Sequence, residues 1–464
     1  MLHQYQLNGY NIVLDTCSGS VHAVDEVAYD IIGMFENHSE DEIVAAMMEK
    51  YGDREDVNEE EIRQCIGDVA SLKEAGKLFT PDTFEPLADK FKERSDGVIK
   101  ALCLHVAHTC NLNCGYCFAS QGKYNGDRAV MSFEVGKQAL DFLVAHSGSR
   151  TNLEVDFFGG EPLMNWDVVK QLVAYARSIE KDAHKNFRFT LTTNGMLLND
   201  EVIDFCNREI SNVVLSLDGR KEINDRMRPT RNGKGSYDII VPKFQKFVEK
   251  RGDKSYYVRG TFTRNNLDFT KDFELMTELG FKEISIEPVV TPDENDYAIR
   301  EEDLPVIFEQ YDKLAVDLIR RQKEGKPVTF FHYKLDLNGG PCVYKRLSGC
   351  GSGTEYLAVT PTGDLYPCHQ FVGHDEFKLG DVFHGVDRND IVEEFKLCNV
   401  YAKDKCKDCF ARFYCSGGCA ANSYQFHGNI LDAYDVGCEL QRKRVECAIM
   451  MKAALADGED EAAE

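Results

Sequence analysis

Three cysteines, Cys110, Cys114 and Cys117, stand at a C-x3-C-x2-C spacing in the run from His108 to Phe118. Cysteine thiolates bind the irons of a cubane iron–sulfur cluster, and three thiolates leave its fourth iron open. A zinc knuckle is the rival reading, but zinc sites pair C-x2-C halves into four ligands, and no fourth ligand lies close by. A second concentration comes late in the chain. It contains Cys342, Cys350, Cys368, Cys398, Cys406, Cys409, Cys415, Cys419, Cys438 and Cys447. Its tightest part is Cys406-x2-Cys409-x5-Cys415-x3-Cys419, again thiolate chemistry, with a zinc ribbon as the alternative.

The 464 residues are 43% hydrophobic, enough for two or three domains. No run of about 18 apolar residues predicts a membrane span, so no membrane partner is expected. The opening run MLHQYQLNGYNIVLD does not read as a signal peptide. Seventeen cysteines in such a chain point to reduced thiols, metal ligation and a cytoplasmic location. The net charge of −24 opposes nucleic-acid binding. It suits a basic peptide partner, or simple solubility.

The elements that must position these cysteines follow from periodicity. Residues 1–80 read as a small separate module. Two strand-like runs, Asn11–Asp15 and Ser20–Asp25, flank a turn at Ser18-Gly19. Three helices follow, with Val27, Ile31, Ile32 and Phe35 on the first and Ile43, Val44 and Met47 on the second. The third starts at Asn58, with Glu61 three residues on, and buries Ile62, Ile66, Val69 and Leu72. Residues 81–97 read as a linker. From Val98 strands alternate with helices. Strands are predicted at Val98–Val106, Leu153–Phe158, Phe187–Thr192, Asn212–Leu217, Tyr256–Phe262 and Glu283–Val290, an α/β parallel sheet over 98–325. A cysteine-rich region fills 326–450, and 451–464 is an acidic tail in which Asp457–Glu464 is expected to lack structure.

In parallel α/β folds ligands sit at the carboxyl ends of the strands. The Cys110 loop follows the first strand. Gly159-Gly160-Glu161-Pro162 follows the second, Thr193-Asn194-Gly195 the third, and Ser216-Leu217-Asp218-Gly219 the fourth, with Arg226 and Arg228 beyond. Each is singly an ordinary turn sequence; four in register with four successive strands are not. The Cys110 loop, with its aromatic Tyr116, resembles that of the radical SAM superfamily. The resemblance implies a partial (β/α)6 barrel whose loop cluster binds S-adenosylmethionine (SAM). It implies further that Gly159, Gly160 and Glu161 grip the SAM amino group, that Asn194 lies beside it, that Ser216 and Asp218 reach the ribose, and that Arg228 meets the carboxylate.

The late cysteines resemble the seven-cysteine SPASM pattern of radical SAM peptide maturases. That resemblance implies auxiliary cluster I on Cys350, Cys368 and Cys419, and auxiliary cluster II on Cys406, Cys409, Cys415 and Cys438. Cys342 is the fourth ligand of cluster I, unless that iron stays open for a substrate thiolate. Three 4Fe-4S clusters and SAM are the expected cofactors. Cys17 and Cys65 read as structural, and Cys103, Cys206, Cys398 and Cys447 as buried apolar thiols. The N-terminal module resembles a winged-helix-like RiPP recognition element, which binds a leader peptide at a sheet edge.

The runs HQYQLNGYNIVLD and GCGSGTEYLAVTPTGDLYPCHQFVG resemble the maturases of six-cysteine (SCIFF) peptides. This implies a radical SAM oxidoreductase that installs Cys-to-Thr thioether cross-links in a cysteine-rich precursor peptide through a 5′-deoxyadenosyl radical. An auxiliary cluster would accept the surplus electron, and a low-potential donor such as flavodoxin or ferredoxin would supply the first. Two rivals stand beside it. One is a sulfatase-maturing oxidation of Cys or Ser, although that family usually has Asp where this chain has His369. The other is a non-enzymatic iron–sulfur electron carrier.

Overall fold

Asn8 and Gly9 both have positive φ, 49° and 85°, as a two-residue type I′ hairpin turn requires. They join β1 (Leu2–Leu7) to β2 (Tyr10–Asp15) in an antiparallel pair with Leu7 opposite Tyr10. β3 (Val21–Val24) adds to β2 and leaves its own outer side as the sheet edge. The hairpin partner β1 is an addition to the two strands expected from sequence. The computed structural model describes residues 1–88, 97–337 and 343–460.

Helices α1 (Glu26–Met34), α2 (Glu40–Tyr51) and α3 (Glu59–Glu74) follow. Asp25, Ser39 and Asn58 cap them by accepting from backbone N–H groups of the first turn. Their apolar stripes meet at Ile31, Ile32, Ile43, Val44, Met47, Ile62, Ile66 and Val69, around Val13 of β2. The opposite face of the sheet is also covered. Tyr5, Ile12 and Leu14 pack with Phe410, Ala411, Val445 and Ile449 of the C-terminal region. Residues 1–80 are therefore not a free-standing module: β2 is buried on both faces by different parts of the chain. Past them, Asp82 and Phe84 contact Tyr401, Arg412 and Phe413. The linker segment 89–96 lies outside the described residues.

Six parallel strands form the centre: β4 (Ala101–Ala107), β5 (Asn152–Gly159), β6 (Asn186–Thr193), β7 (Asn212–Ser216), β8 (Tyr256–Phe262) and β9 (Glu283–Pro288). Each pairs with the next in sequence order. The expected strands are all present, with ends moved by up to three residues. Helices α4 (Phe133–His146), α5 (Trp166–Ala183), α6 (Asp200–Glu209), α7 (Lys221–Met227), α8 (Tyr237–Arg251) and α9 (Thr270–Glu278) connect them, and α10 (Leu304–Lys323) follows β9. Phe157, Phe187, Phe189, Phe244 and Phe247 are fully buried between sheet and helices; each such ring contributes about 1.5–3 kcal/mol by leaving water.

The sheet continues past both ends of this series. Short β10 (Thr329–Phe330) joins β9 in parallel. At the other edge, β11 (Tyr356–Val359) joins β4 in parallel and carries β12 (Asp364–Tyr366), β13 (Gly380–Asp381) and β14 (Gly385–Val386). The cysteine-rich region is thus hydrogen-bonded into the central sheet. Its last helix, α16, runs from Asp435 to Asp460; between it and α10 lie five shorter helices, α11 (Val343–Ser348) to α15 (Ala420–His427). This helix takes in the first part of the tail placed from residue 451, including 457–460, which were expected to lack structure. Met451 and Ala454 pack into the main core, and Ala453 against the N-terminal sheet. Residues 461–464 lie outside the described residues. Among the described residues no helix is long and apolar enough to cross a membrane.

Candidate active site

β4 ends at Ala107, and the Cys110 loop leaves it under two clamps. Gly160 N–H donates to Ala107 O at 2.7 Å and Glu161 N–H to Thr109 O at 2.9 Å. On the other side, Asn113 N–H reaches Pro229 O and Gly115 N–H reaches Met227 O, both at 2.8 Å. The two glycines are what allow this. A Cβ on Gly159, whose φ is +121°, would lie 2.3 Å from Ala107 O, and one on Gly160 would lie 2.2 Å from Thr109 O. Their freedom serves contact between the Gly-Gly corner and the cysteine loop's own backbone.

Cys110, Cys114 and Cys117 line one end of a cavity of about 410 Å³ at the carboxyl ends of the strands. Leu112 N–H at 3.4 Å and the Asn194 amide at 3.6 Å point at the Cys110 sulfur. Burial pushes the Cys110 thiol up to about 11 and the Cys114 thiol up to about 12. Such sulfurs become thiolates when a metal supplies positive charge, and donors aimed at the sulfur suit a cluster ligand. Among the described residues no three His, Cys, Asp or Glu side chains are grouped to hold a metal ion. The three cysteines share a cavity wall instead.

Glu161 is 1% exposed yet borders this cavity. Its carboxylate accepts from Thr193 Oγ1 (2.8 Å), Leu163 N–H (3.1 Å) and Asn194 N–H (2.8 Å). Burial outweighs these neutral donors and raises its pKa. An ammonium group is the partner such a site lacks, so the residue fits the amino end of SAM. Ser216 and Asn194 line the same wall.

Asp218 is 0% exposed and lies behind that wall. It accepts from Tyr116 OH at 2.7 Å and from Thr261 N–H at 3.1 Å. Arg228 donates to Tyr116 OH at 2.8 Å and stands 3.9 Å from Asp218, while its Nε is buried without a partner. Asp218 therefore fixes Tyr116 and Arg228, and those two face the cavity. Arg226 is not part of the cavity wall.

The far end of the cavity reaches His369, Gln370 and Cys419. The late cysteines divide by proximity. Beyond burial, Cys368 feels the charges of Cys419 and Cys350, and Cys419 feels Cys350. Cys415 feels Cys438, Cys406 and Cys409. Cys398 lies between the two groups, near both Cys350 and Cys406. Cys342 lies outside the described residues. Cys103, Cys206 and Cys447 are buried, whereas Cys398 is only partly so and donates to Ile430 O at 3.3 Å. Cys17, partly buried, accepts from Arg412 at 3.6 Å.

Sequence reasoning missed three neighbours. Thr193 orients Glu161. Arg259 enters the cavity from β8, where strand alternation alone assigns it to the inner face. Lys403, 1% exposed, donates to Gly417 O at 2.9 Å, inside the Cys415–Cys419 loop; nothing in its surroundings along the chain marks it.

Residues 104–263 match the Radical SAM superfamily. An uncharacterised protein of Methanocaldococcus jannaschii is 29% identical over 68% of this chain and 96% of its own length. A cysteine-type anaerobic sulfatase-maturating enzyme of Clostridium novyi is 24% identical over 68% and 86%. The radical SAM cyclopropyl synthase TigE of Paramaledivibacter caminithermalis is 23% identical over 74% and 72%. Among solved structures, native anSMEcpe with bound AdoMet and Cp18Cys peptide is 19% identical with a TM-score of 0.64, covering 77% of this chain and 99% of that one. Streptococcus suis SuiB bound to S-adenosylmethionine is 16% identical with a TM-score of 0.53, covering 94% and 98%. Residues 104–263, which carry the Cys110 loop and the Gly159-Gly160-Glu161 corner, form a radical SAM domain.

Proposed function

We propose that the protein is a thioether-forming peptide maturase. It joins a cysteine sulfur to a threonine carbon in a cysteine-rich precursor peptide. The observation that carries this reading is the single cavity that runs from Cys110, Cys114 and Cys117 to Cys419 of the auxiliary set. A peptide side chain held between them lies within reach of both. A four-iron cluster on Cys110, Cys114 and Cys117, with SAM, would supply reductive SAM cleavage and hydrogen abstraction from a substrate carbon. Glu161 and Asn194 hold the amino end of SAM, Ser216 its ribose, and Arg228, set by Asp218 and Tyr116, its carboxylate. Cys350, Cys368 and Cys419 hold one auxiliary cluster; Cys406, Cys409, Cys415 and Cys438 hold the other. The free edge of β3 offers a strand position to a leader peptide. A low-potential electron donor such as flavodoxin or ferredoxin completes the system.

Relatives described as sulfatase-maturating enzymes support a second reading, oxidation of a Cys or Ser side chain. Peptide mass spectrometry separates the two. After anaerobic reaction with SAM, a thioether gives loss of two hydrogens together with one alkylatable thiol. Loss of two hydrogens from Ser to give an aldehyde, or from Cys with its sulfur then replaced by oxygen from water and released as hydrogen sulfide, would favour the second. SAM cleavage that never alters any peptide would sink both.

A further inference from the structure

Arg259 occupies the inward phase of β8, level with Ser216 on β7 and Ser285 on β9. It is exposed, and the space it is exposed to is the reaction cavity. Its guanidinium makes no hydrogen bond or ion pair among the described residues. The other charged groups of the wall are committed. Arg228 is held by Tyr116 and Asp218, and Glu161 by Thr193, Leu163 and Asn194. Glu287 faces His332 Nε2 at 3.3 Å and Ser285 Oγ at 3.4 Å. Arg259 is felt by Glu287 of β9, by His369 in the turn after β12 and by Tyr257 of its own strand. A guanidinium with Glu287 near but no carboxylate at contact distance, in a cavity between two cysteine sets, has room to receive a further anion.

We propose that Arg259 binds the reacting cysteine of the peptide as its thiolate. The thiol proton leaves to solvent on binding; no bond to carbon and no electron transfer is involved. A nearby guanidinium lowers a thiol pKa and so favours the form that can bond. The inference rests on the peptide-maturase reading and adds the group that is recognised. The other source of an anion in this cavity is the SAM carboxylate.

The test uses cluster-loaded full-length protein with SAM and two leaderless core peptides, one with all its cysteines and one with every cysteine replaced by serine. Titration calorimetry gives peptide and SAM affinities for wild type, Arg259→Gln and Arg259→Lys. Iron content and SAM affinity report that both variants are folded. Loss of a charged hydrogen bond corresponds to roughly 10- to 100-fold in affinity. Arg259→Gln should lose that factor for the cysteine peptide, not for the serine peptide, with SAM binding unchanged. Arg259→Lys should lose less. Equal losses for both peptides, no loss for either, a Lys variant no better than Gln, or weakened SAM binding alone would each overturn the inference. If wild type binds the full-length precursor while Arg259→Gln changes nothing, the maturase reading stands and this inference falls. If wild type does not bind the precursor at all, both fall.

Discussion

At the scale of single residues, the site is organised by buried charges that hold one another. Asp218, Tyr116 and Arg228 are linked at 2.7 Å and 2.8 Å, with Asp218 and Arg228 buried and Tyr116 partly so. Breaking a buried pair leaves an uncompensated charge and costs about 3–5 kcal/mol. Asp218→Asn should therefore lower unfolding stability by about that much and weaken SAM binding through a displaced Arg228. Denaturant titration and calorimetry would show both, and a variant with normal stability would refute the linkage. A second residue-scale expectation concerns pH. Burial, helped by Arg444, pushes His332 down to about 3, although Glu287 opposes it. The unfolded chain takes up this proton near the ordinary histidine value of about 6.5. Stability from this group is thus complete above about pH 6.5 and is lost as pH falls toward 3, by up to about 1.4 kcal/mol per pH unit. His332→Asn should flatten the stability profile in that window; an unchanged slope would contradict it. That Cys110 and Glu161 line one cavity was legible because motif and strand end coincide; Arg228 reaches it from the end of α7. The places of Arg259 and Lys403 were not legible, since each depends on what lies across the cavity or loop in space.

At the scale of elements, the parallel strands could be read because buried strands in α/β sheets are continuous apolar runs. β1 could not be read that way: Leu2–Leu7 mixes polar and apolar positions, and only the Asn8-Gly9 turn announces the hairpin. The Gly-Gly corner shows how element geometry fixes the cysteine loop. Gly160→Ala puts a methyl 2.2 Å from Thr109 O, a backbone atom that cannot swing aside. Overpacking of this kind costs about 1–3 kcal/mol, and here the strain falls on the segment that presents Cys110. The expected outcome is a folded protein with less iron bound at the Cys110 loop and little SAM cleavage. Iron analysis and circular dichroism would check it; full iron and full cleavage would show that the close approach is dispensable.

At the scale of the whole molecule, the N-terminal sheet and the auxiliary cysteines share one core. His3 stacks on Phe410 with ring centres 3.5 Å apart, and Tyr5 OH donates to Glu446 O. Arg412, between Cys409 and Cys415, donates to Asp82 at 2.7 Å and is 5% exposed. From sequence alone, residues 1–80 looked removable, because an amphipathic three-helix pattern accounts for Val13 but says nothing of Ile12 and Leu14 on the other face. Truncation at residue 80 would expose Phe410, Ala411, Val445 and Ile449. Because ligand loops and their metal fold together, the expected loss is at the set Cys406, Cys409, Cys415 and Cys438, about four irons for one cubane cluster. Iron at the Cys110 loop, which is held by the backbone of Gly160, Glu161, Met227 and Pro229 and not by the N-terminal sheet, should survive. Leader binding is then better tested by proline at His22 and at Ala23 in separate variants, since successive N–H groups of a strand point to opposite sides and one of the two faces the free edge. One variant should lose leader affinity with all iron retained. A truncated protein with its full iron content would show that the N-terminal sheet does not support the cysteine loop, and proline variants that both bind leader normally would remove the β3 edge as its site.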